Sequence, residues 1–263
     1  MGDFLKCPRL YFLNNVYKDP NTNRKINVVT PALSLGQAVH EALEGLGRFS
    51  VDERLKQPVL EHFEEAWRKV SGKIGGFTNE EEEKEAKERG RAMVERVMKN
   101  PGPLANRTIK LKDSGMPPNF YLSEPENIIL CGRIDWIEYR QEDDSVRILD
   151  FKTGKNEERE GSLQLPIYVL LLSALQKRPI TGAYYWYIDR EDEPREVALP
   201  DSEKGREEVL SLARKVKAAR EKGEFECPRG GSCFACEPYE KILRGEAEHV
   251  GVNEFGQDLY LIN

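Results

Sequence analysis

Between Gly132 and Tyr168 the chain reads GRIDWIEYR, then RILDFKTGK, then QLPIYVLLL. Ile128 to Tyr139 and Ser145 to Phe151 are apolar and β-branched. They flank the polar tetrad Gln141-Glu142-Asp143-Asp144, which predicts a hairpin with a four-residue loop. No other feature constrains the fold as tightly, because closing that loop between Arg140 and Ser145 fixes every opposed pair. Asp135 then faces Asp150, with Ile137 opposite Ile148 beside the acids, and Glu138–Arg147 and Trp136–Leu149 pair on the other face. Directly opposed carboxylates are destabilising unless a cation sits between them, and hard oxygen donors suit Mg²⁺ or Mn²⁺. Asp135 and Asp150 are therefore read as metal ligands. Strand alternation puts Lys152 on the face of Asp150, so carboxylates, a cation and an ammonium converge. That combination fits phosphodiester hydrolysis, in which a metal polarises the phosphate and activates water while a lysine steadies developing charge.

Three motifs in order, Gly132-Arg133-Ile134-Asp135, Asp150-Phe151-Lys152-Thr153-Gly154 and Gln164 with Tyr168, resemble the PD-(D/E)XK nuclease superfamily in its RecB-like branch. An Asp-X-Lys triplet alone occurs by chance in most chains; the ordered set is specific. The resemblance implies an α/β fold with a restriction-endonuclease-like core, a central mixed sheet flanked by helices, over residues 104–190 of a single nuclease domain spanning 1–263. It implies a deoxyribonuclease, acting exonucleolytically on single strands or duplex ends, with the Phe151 carbonyl as a further metal ligand and Lys152 assisting the hydrolytic water. Gln164 and Tyr168, four residues apart and so on one helix face, would position the strand. Partners implied in the same way are a helicase or CRISPR adaptation proteins. A non-catalytic DNA-binding module that keeps the fold as a scaffold is the alternative.

Ser34 to Phe49 reads as a helix with Ser34 and Gln37 as a capping box and an apolar stripe of Leu35, Val39, Leu43 and Leu46. A lone histidine beside such a stripe is ordinarily structural. The segment from Gly36 to His40, however, resembles the G-x-x-x-H element of RecB-like nucleases, in which the histidine joins the aspartates on the metal. His40 is accordingly expected as a ligand, and Glu44 as a surface or supporting group. Residues 50–100 read as a helical insert: Leu60, Phe63, Trp67 and Val70 recur at helical spacing after Pro58, Gly72 to Gly76 is a loop, and Thr78 with Glu81 opens a second helix. Short strands are expected near Thr108 to Lys112 and Asn119 to Ser123. Another spans Thr181 to Asp189, half of whose run Tyr184-Tyr185-Trp186-Tyr187 should be core. A helix is expected from Asp201 to Gly223 and a terminal strand from Gly256 to Ile262.

Of five cysteines, Cys227, Cys233 and Cys236 cluster near the C-terminus and Cys7 lies near the N-terminus. A C-x5-C-x2-C cluster in a reducing compartment indicates metal binding rather than a disulfide framework, and four thiolates suit zinc or an iron-sulfur cluster. The RecB-like resemblance implies a [4Fe-4S] cluster joining residues 1–20 to 224–240, with Zn²⁺ as the alternative. In that family a fourth cysteine follows the C-x2-C pair; here Ile242 stands there and Cys227 substitutes from upstream. Cys131 is read as a small buried residue. The net charge of −6 excludes a protein that coats nucleic acid by bulk charge, so contacts with DNA must come from local groups. No secretory signal or membrane span is evident, and a cytoplasmic protein is expected.

Overall fold

The computed structural model describes residues 1–111 and 117–262. The chain divides into two compact units, one of Met1–Ser34, Arg68–Ala86 and Leu212–Asn263, the other of Leu35–Trp67 and Lys87–Ser211. Its elements in order are α1 (Gly2–Lys6), α2 (Pro8–Tyr11), β1 (Ile26–Val28), α3 (Pro31–Gly45), α4 (Val51–Arg54), α5 (Val59–Arg68), α6 (Glu80–Lys99), β2 (Arg107–Thr108), β3 (Asn119–Ser123) and β4 (Ile128–Cys131). There follow β5 (Trp136–Arg140), β6 (Ser145–Phe151), α7 (Gln164–Leu175), β7 (Ile180–Trp186), β8 (Arg195–Val197), α8 (Ser202–Lys222), α9 (Glu237–Leu243), β9 (Ala247–Val252) and β10 (Asp258–Ile262). Among the described residues no helix is long and apolar enough to cross a membrane.

The second unit is built on a five-stranded mixed sheet of order β2-β5-β6-β7-β8. Its hairpin has the predicted register: Trp136 pairs with Leu149, Ile137 with Ile148, Glu138 with Arg147 and Arg140 with Ser145. The ladder stops there. Asp135 precedes β5 and does not pair with Asp150; its Oδ2 accepts the Phe151 N–H at 2.8 Å, so a side chain bridges the strands where backbone pairing has ended. On the other edge β6 pairs with β7 in parallel, which sets Asp150 against Tyr185 and Phe151 against Trp186.

Each face of this sheet is covered by apolar packing. On one, Leu165, Tyr168, Val169 and Leu172 of α7 bury Ile137, Val146, Ile148 and Ala183. On the other lie Trp136, Leu149, Phe151 and Trp186, all nearly inaccessible. Arg54 of α4 sits 4.8 Å over the Trp136 ring and donates to the carbonyls of Leu46, Phe49, Leu104 and Asn106, which is how a buried guanidinium is satisfied. The aromatic run is buried at Tyr185, Trp186 and Tyr187, more than alternation allows, because β7 ends at Trp186 and Tyr187 lies beyond it.

The first unit carries a three-stranded sheet, β1-β10-β9, and a core of Cys7, Leu10, Leu13, Ile26, Cys227, Cys236, Tyr239 and Ile242. Here the N-terminal aromatics pack inward, Phe12 stacking on Phe225 with centroids 5.1 Å apart. Two helix starts differ from expectation. Helix α3 begins at Pro31, whose fixed φ suits the first helical position, and Thr30 Oγ1 accepts the Leu33 N–H; Ser34 lies within the first turn and donates to the Gly75 carbonyl. Helix α6 begins at Glu80 behind Asn79, whose Oδ1 accepts the Glu82 N–H, while Glu82 reaches back to Thr78. Gly72–Gly75, expected as loop, is a short 3-10 turn. Of the strand expected from Thr108, Arg107–Thr108 forms, and Lys112 lies outside the described residues. Cys131 is exposed rather than buried, since β4 alternates and turns Ile128 and Leu130 inward instead.

Gly90 of α6 tests how closely this packing is fitted. A Cβ there would lie 2.8 Å from the ring carbon Cζ of Phe63, a fully buried residue of α5. Helix propensity alone favours alanine over glycine by about 1 kcal/mol, whereas an extra methyl in a tight core costs ~1–3 kcal/mol. Gly90→Ala is expected to lower stability by about 1 kcal/mol in urea unfolding. A raised midpoint would mean that propensity wins and that α5 and α6 part easily.

Candidate active site

Helix α3 presents His40 and, one turn later, Glu44 on one side. His40 Nδ1 lies 3.3 Å from Asp135 Oδ2 and 3.4 Å from Glu44 Oε1. The imidazole meets the Phe151 ring edge-on, with centroids 6.1 Å apart. Burial works against a charged imidazole, but hydrogen bonds to Asp135 and Glu44 outweigh it and push the His40 pKa up to about 10. One donor atom from each of His40, Glu44 and Asp135 falls within 4.8 Å of the others. An imidazole and two carboxylates are donors that Mn²⁺ or Mg²⁺ accepts, so the residues fit a divalent cation.

Asp150, at the end of β6, is 2 % exposed. Its Oδ1 accepts hydrogen bonds from Tyr168 Oη at 3.0 Å and Gln164 Nε2 at 3.2 Å, and these two side chains also bond each other. Its Oδ2 is 2.8 Å from Lys152 Nζ yet receives no directed hydrogen bond. Burial, and then the negative charge of Asp135, push the Asp150 pKa up to about 6, against the pull of Lys152 and Tyr168. Tyr168 is raised as well, first by burial and then by the two aspartates.

Lys152 directly follows β6, two residues beyond Asp150, and its extended backbone keeps it on the face of Asp150. Its backbone N–H donates to the Trp186 carbonyl, and its ammonium donates to Glu158 Oε2 at 2.6 Å and to Gln164 Oε1. The Tyr185 ring lies 4.8 Å below Nζ. Burial opposes the charge on Lys152, but Asp150 and Glu158 outweigh it and its pKa rises. The Lys152-Thr153-Gly154 turn is held from α6: Arg89 grips Asp189 through two hydrogen bonds of 2.8 and 2.9 Å and donates to the Thr153 carbonyl at 3.0 Å. Gly36 serves the same turn, since a Cβ there would sit 3.1 Å from Thr153 Oγ1.

Of the residues expected at this site, His40 meets Asp135, and Asp150 meets Lys152, Gln164 and Tyr168. Phe151 donates its N–H to Asp135 and packs its ring between His40 and Trp186. Glu44, expected only as a surface or supporting group, stands i+4 from His40 with an oxygen 3.4 Å from its Nδ1. One carboxylate at the site is not marked by the sequence. Glu158 lies in the polar segment between β6 and α7, where only the folded chain brings it to Lys152.

In the first unit, Cys7, Cys227, Cys233 and Cys236 bring their sulfurs within 4.8 Å of one another. All four are free thiols, and Cys7, Cys227 and Cys236 are buried. Cys7 occupies the extended break between α1 and α2, and Cys236 stands at the N-terminus of α9. The Cys233 and Cys236 sulfurs are 3.7 Å apart. Hydrogen bonding from the Cys236 backbone lowers the Cys233 pKa to about 6, while burial pushes Cys236 up to about 12. Four converging soft donors can hold a metal ion.

A search of curated proteins finds no match to this chain. The profile of the PD-(D/E)XK nuclease superfamily matches residues 2–240 and so takes in the mixed sheet, Asp135, Asp150 and Lys152 and all four clustered cysteines. A five-stranded mixed sheet flanked by helices is consistent with the restriction-endonuclease-like fold, and over nine-tenths of its length the chain belongs to the PD-(D/E)XK nuclease superfamily of metal-dependent nucleases.

Proposed function

We propose that this protein is a RecB-like, Mg²⁺- or Mn²⁺-dependent deoxyribonuclease that degrades DNA exonucleolytically from single-stranded or duplex ends. The observation that carries the reading is the Asp150 carboxylate. A buried carboxylate is costly unless its charge is paired. Here Oδ1 is fixed by two hydrogen bonds, Oδ2 is held by the Lys152 ammonium at 2.8 Å, and Asp135 stands near enough to raise the pKa of Asp150, so that two acids and a cation converge.

In this reading His40, Asp135, Asp150 and the Phe151 carbonyl hold the cation, and Glu44 adds a carboxylate. The bound metal supplies Lewis-acid polarisation of the phosphate and activation of water. Gln164 and Tyr168 anchor Oδ1 of Asp150 so that the carboxylate cannot rotate. Lys152 places a positive charge where the attacking water and the phosphate oxygens gather. Arg89 positions Lys152 through the Thr153 carbonyl. The cysteine quartet holds a [4Fe-4S] cluster, the occupant favoured by the RecB-like motifs, with Zn²⁺ as the alternative for the same thiolates.

Asp150→Asn and Lys152→Ala are each expected to lower cleavage of a single-stranded oligonucleotide in Mn²⁺ by about 100-fold or more while the protein stays folded. Retained cleavage in both would place the activity elsewhere. For the cysteines, anaerobically purified protein should be brown and contain iron and acid-labile sulfide, and Cys236→Ser should lose both and melt at a lower temperature. Colourless protein with stoichiometric zinc would replace the cluster by a zinc site, and metal-free protein would remove the site altogether.

A further inference from the structure

The ammonium of Lys152 has three N–H donors and meets three acceptors: Asp150 Oδ2 at 2.8 Å, Glu158 Oε2 at 2.6 Å and Gln164 Oε1. A lysine that is to touch a substrate phosphate or water must give one of them up. Asp150 and Gln164 are poor candidates, since Asp150 belongs to the central sheet, Gln164 opens α7, and the two are bonded to each other and to Tyr168. Glu158 alone stands on a connecting segment, and its side chain is 25 % exposed.

That segment is fastened by contacts that do not involve the Glu158 carboxylate. Arg190 and Arg195 both reach Glu157, at 3.3 and 3.1 Å, and Arg190 also donates to the Lys155 carbonyl at 2.8 Å. The two guanidiniums lie 4.4 and 5.2 Å from the Tyr187 ring, whose hydroxyl accepts the Glu158 N–H at 3.0 Å. The backbone around Glu158 thus stays in place when its side chain leaves Lys152.

We propose that Glu158 is a placeholder for the substrate, its carboxylate occupying at Lys152 the position that a DNA phosphodiester takes on binding. Carboxylate and phosphodiester each carry a single negative charge and accept a hydrogen bond from an ammonium, so the exchange keeps Lys152 neutralised in both states. Without Glu158 the ammonium keeps Asp150 as its one anionic partner, so Glu158 adds a second ion pair in the free protein and each DNA-binding event pays for displacing it. The inference rests on the nuclease reading, because it takes Lys152 as a substrate contact. A residue that merely held Lys152 in place would have the opposite effect: its loss would weaken binding.

The test is the affinity of a fluorescent single-stranded oligonucleotide in Ca²⁺, measured by anisotropy across a salt series for wild type, Glu158→Gln, Glu158→Ala, Lys152→Ala and the Glu158→Ala/Lys152→Ala double variant. Both Glu158 variants should bind roughly three- to tenfold tighter, as expected when one partly buried competing ion pair is removed. Their dependence on log salt should match that of wild type, since Lys152 meets the same phosphate in each complex, whereas Lys152→Ala should flatten it by about 0.7. In the double variant the gain should vanish. Unchanged or weaker binding by Glu158→Gln and Glu158→Ala would overturn the proposal. A second measurement needs no DNA: acetylation of Lys152 by acetic anhydride, normalised to exposed Lys177, should accelerate in both variants. If wild type binds no DNA at all, the nuclease reading falls, and unaltered Lys152 acetylation then overturns the placeholder independently.

Discussion

A carboxylate buried at the end of a central strand sets the terms for the second unit. Removing Asp150 from water is costly unless its oxygens are paired, and the fold answers with groups from three directions. Lys152 comes from the same strand by alternation, and Gln164 and Tyr168 come from α7 at helical spacing. The parallel pairing with β7 lays Tyr185 beneath the lysine. Shifting β6 by one residue would carry Asp150 and Lys152 to the opposite face, beside Trp136 and Trp186. The hydrophobic packing of α7 on Ile137, Ile148 and Ala183 is therefore also what holds the ionic cluster in register.

Period-two patterning is read easily from a sequence, and this explains what was legible. The β5–β6 register, the shared face of Asp150 and Lys152 and the shared face of Gln164 and Tyr168 all follow from local spacing. The helix start at Asp201 was also local, a carboxylate accepting the Lys204 N–H. Where the reading slipped, a competing local signal won: Thr30-Pro31 capped α3 ahead of Ser34, and Asn79 capped α6 in place of Thr78. Alternation carries Asp135 into the ladder because it has no way to mark where a ladder ends. Glu158 is a different kind of miss: in a chain with 46 acidic residues, only its tertiary contact with Lys152 distinguishes it.

The cysteine unit obeys a different economy. Its sheet has three short strands, and of the eight buried residues in the cluster around the thiols four are aliphatic, so apolar burial at that point is modest. Three of those eight core positions are cysteines, brought together from positions 7, 227 and 236 of the sequence. Ligation at one centre would close loops of more than two hundred residues, and the entropy removed from the unfolded chain rises with loop length. Metal binding at these thiols would then be coupled to the folding of this unit.

Electrostatics ties the catalytic reading to the acidity of the chain. Asp135 and Glu44 flank His40, and Asp150 and Glu158 flank Lys152, so in each set the carboxylates outnumber the cation they face. The consequence appears in the shifted protonation equilibria. Asp150 has a folded pKa of about 6, above its ordinary value of 3.8, so the stability it contributes is complete below that ordinary value and is lost as pH rises through 6. At neutral pH its ionised form costs the fold on the order of 3 kcal/mol. His40, raised to about 10 by the same carboxylates, contributes stability below pH 6.5 that is lost as pH rises through 10. The Asp150 shift comes first from burial and then from Asp135, the His40 shift from Asp135 and Glu44 against burial; what they share is the negative charge of Asp135, which favours a bound proton at both. A proton answers that field with one charge on one atom, whereas a divalent cation brings two charges to several oxygens and a nitrogen at once. The field that retains protons is thus the one that selects a divalent metal, and only after that charge is supplied does an acidic pocket become hospitable to a DNA phosphate.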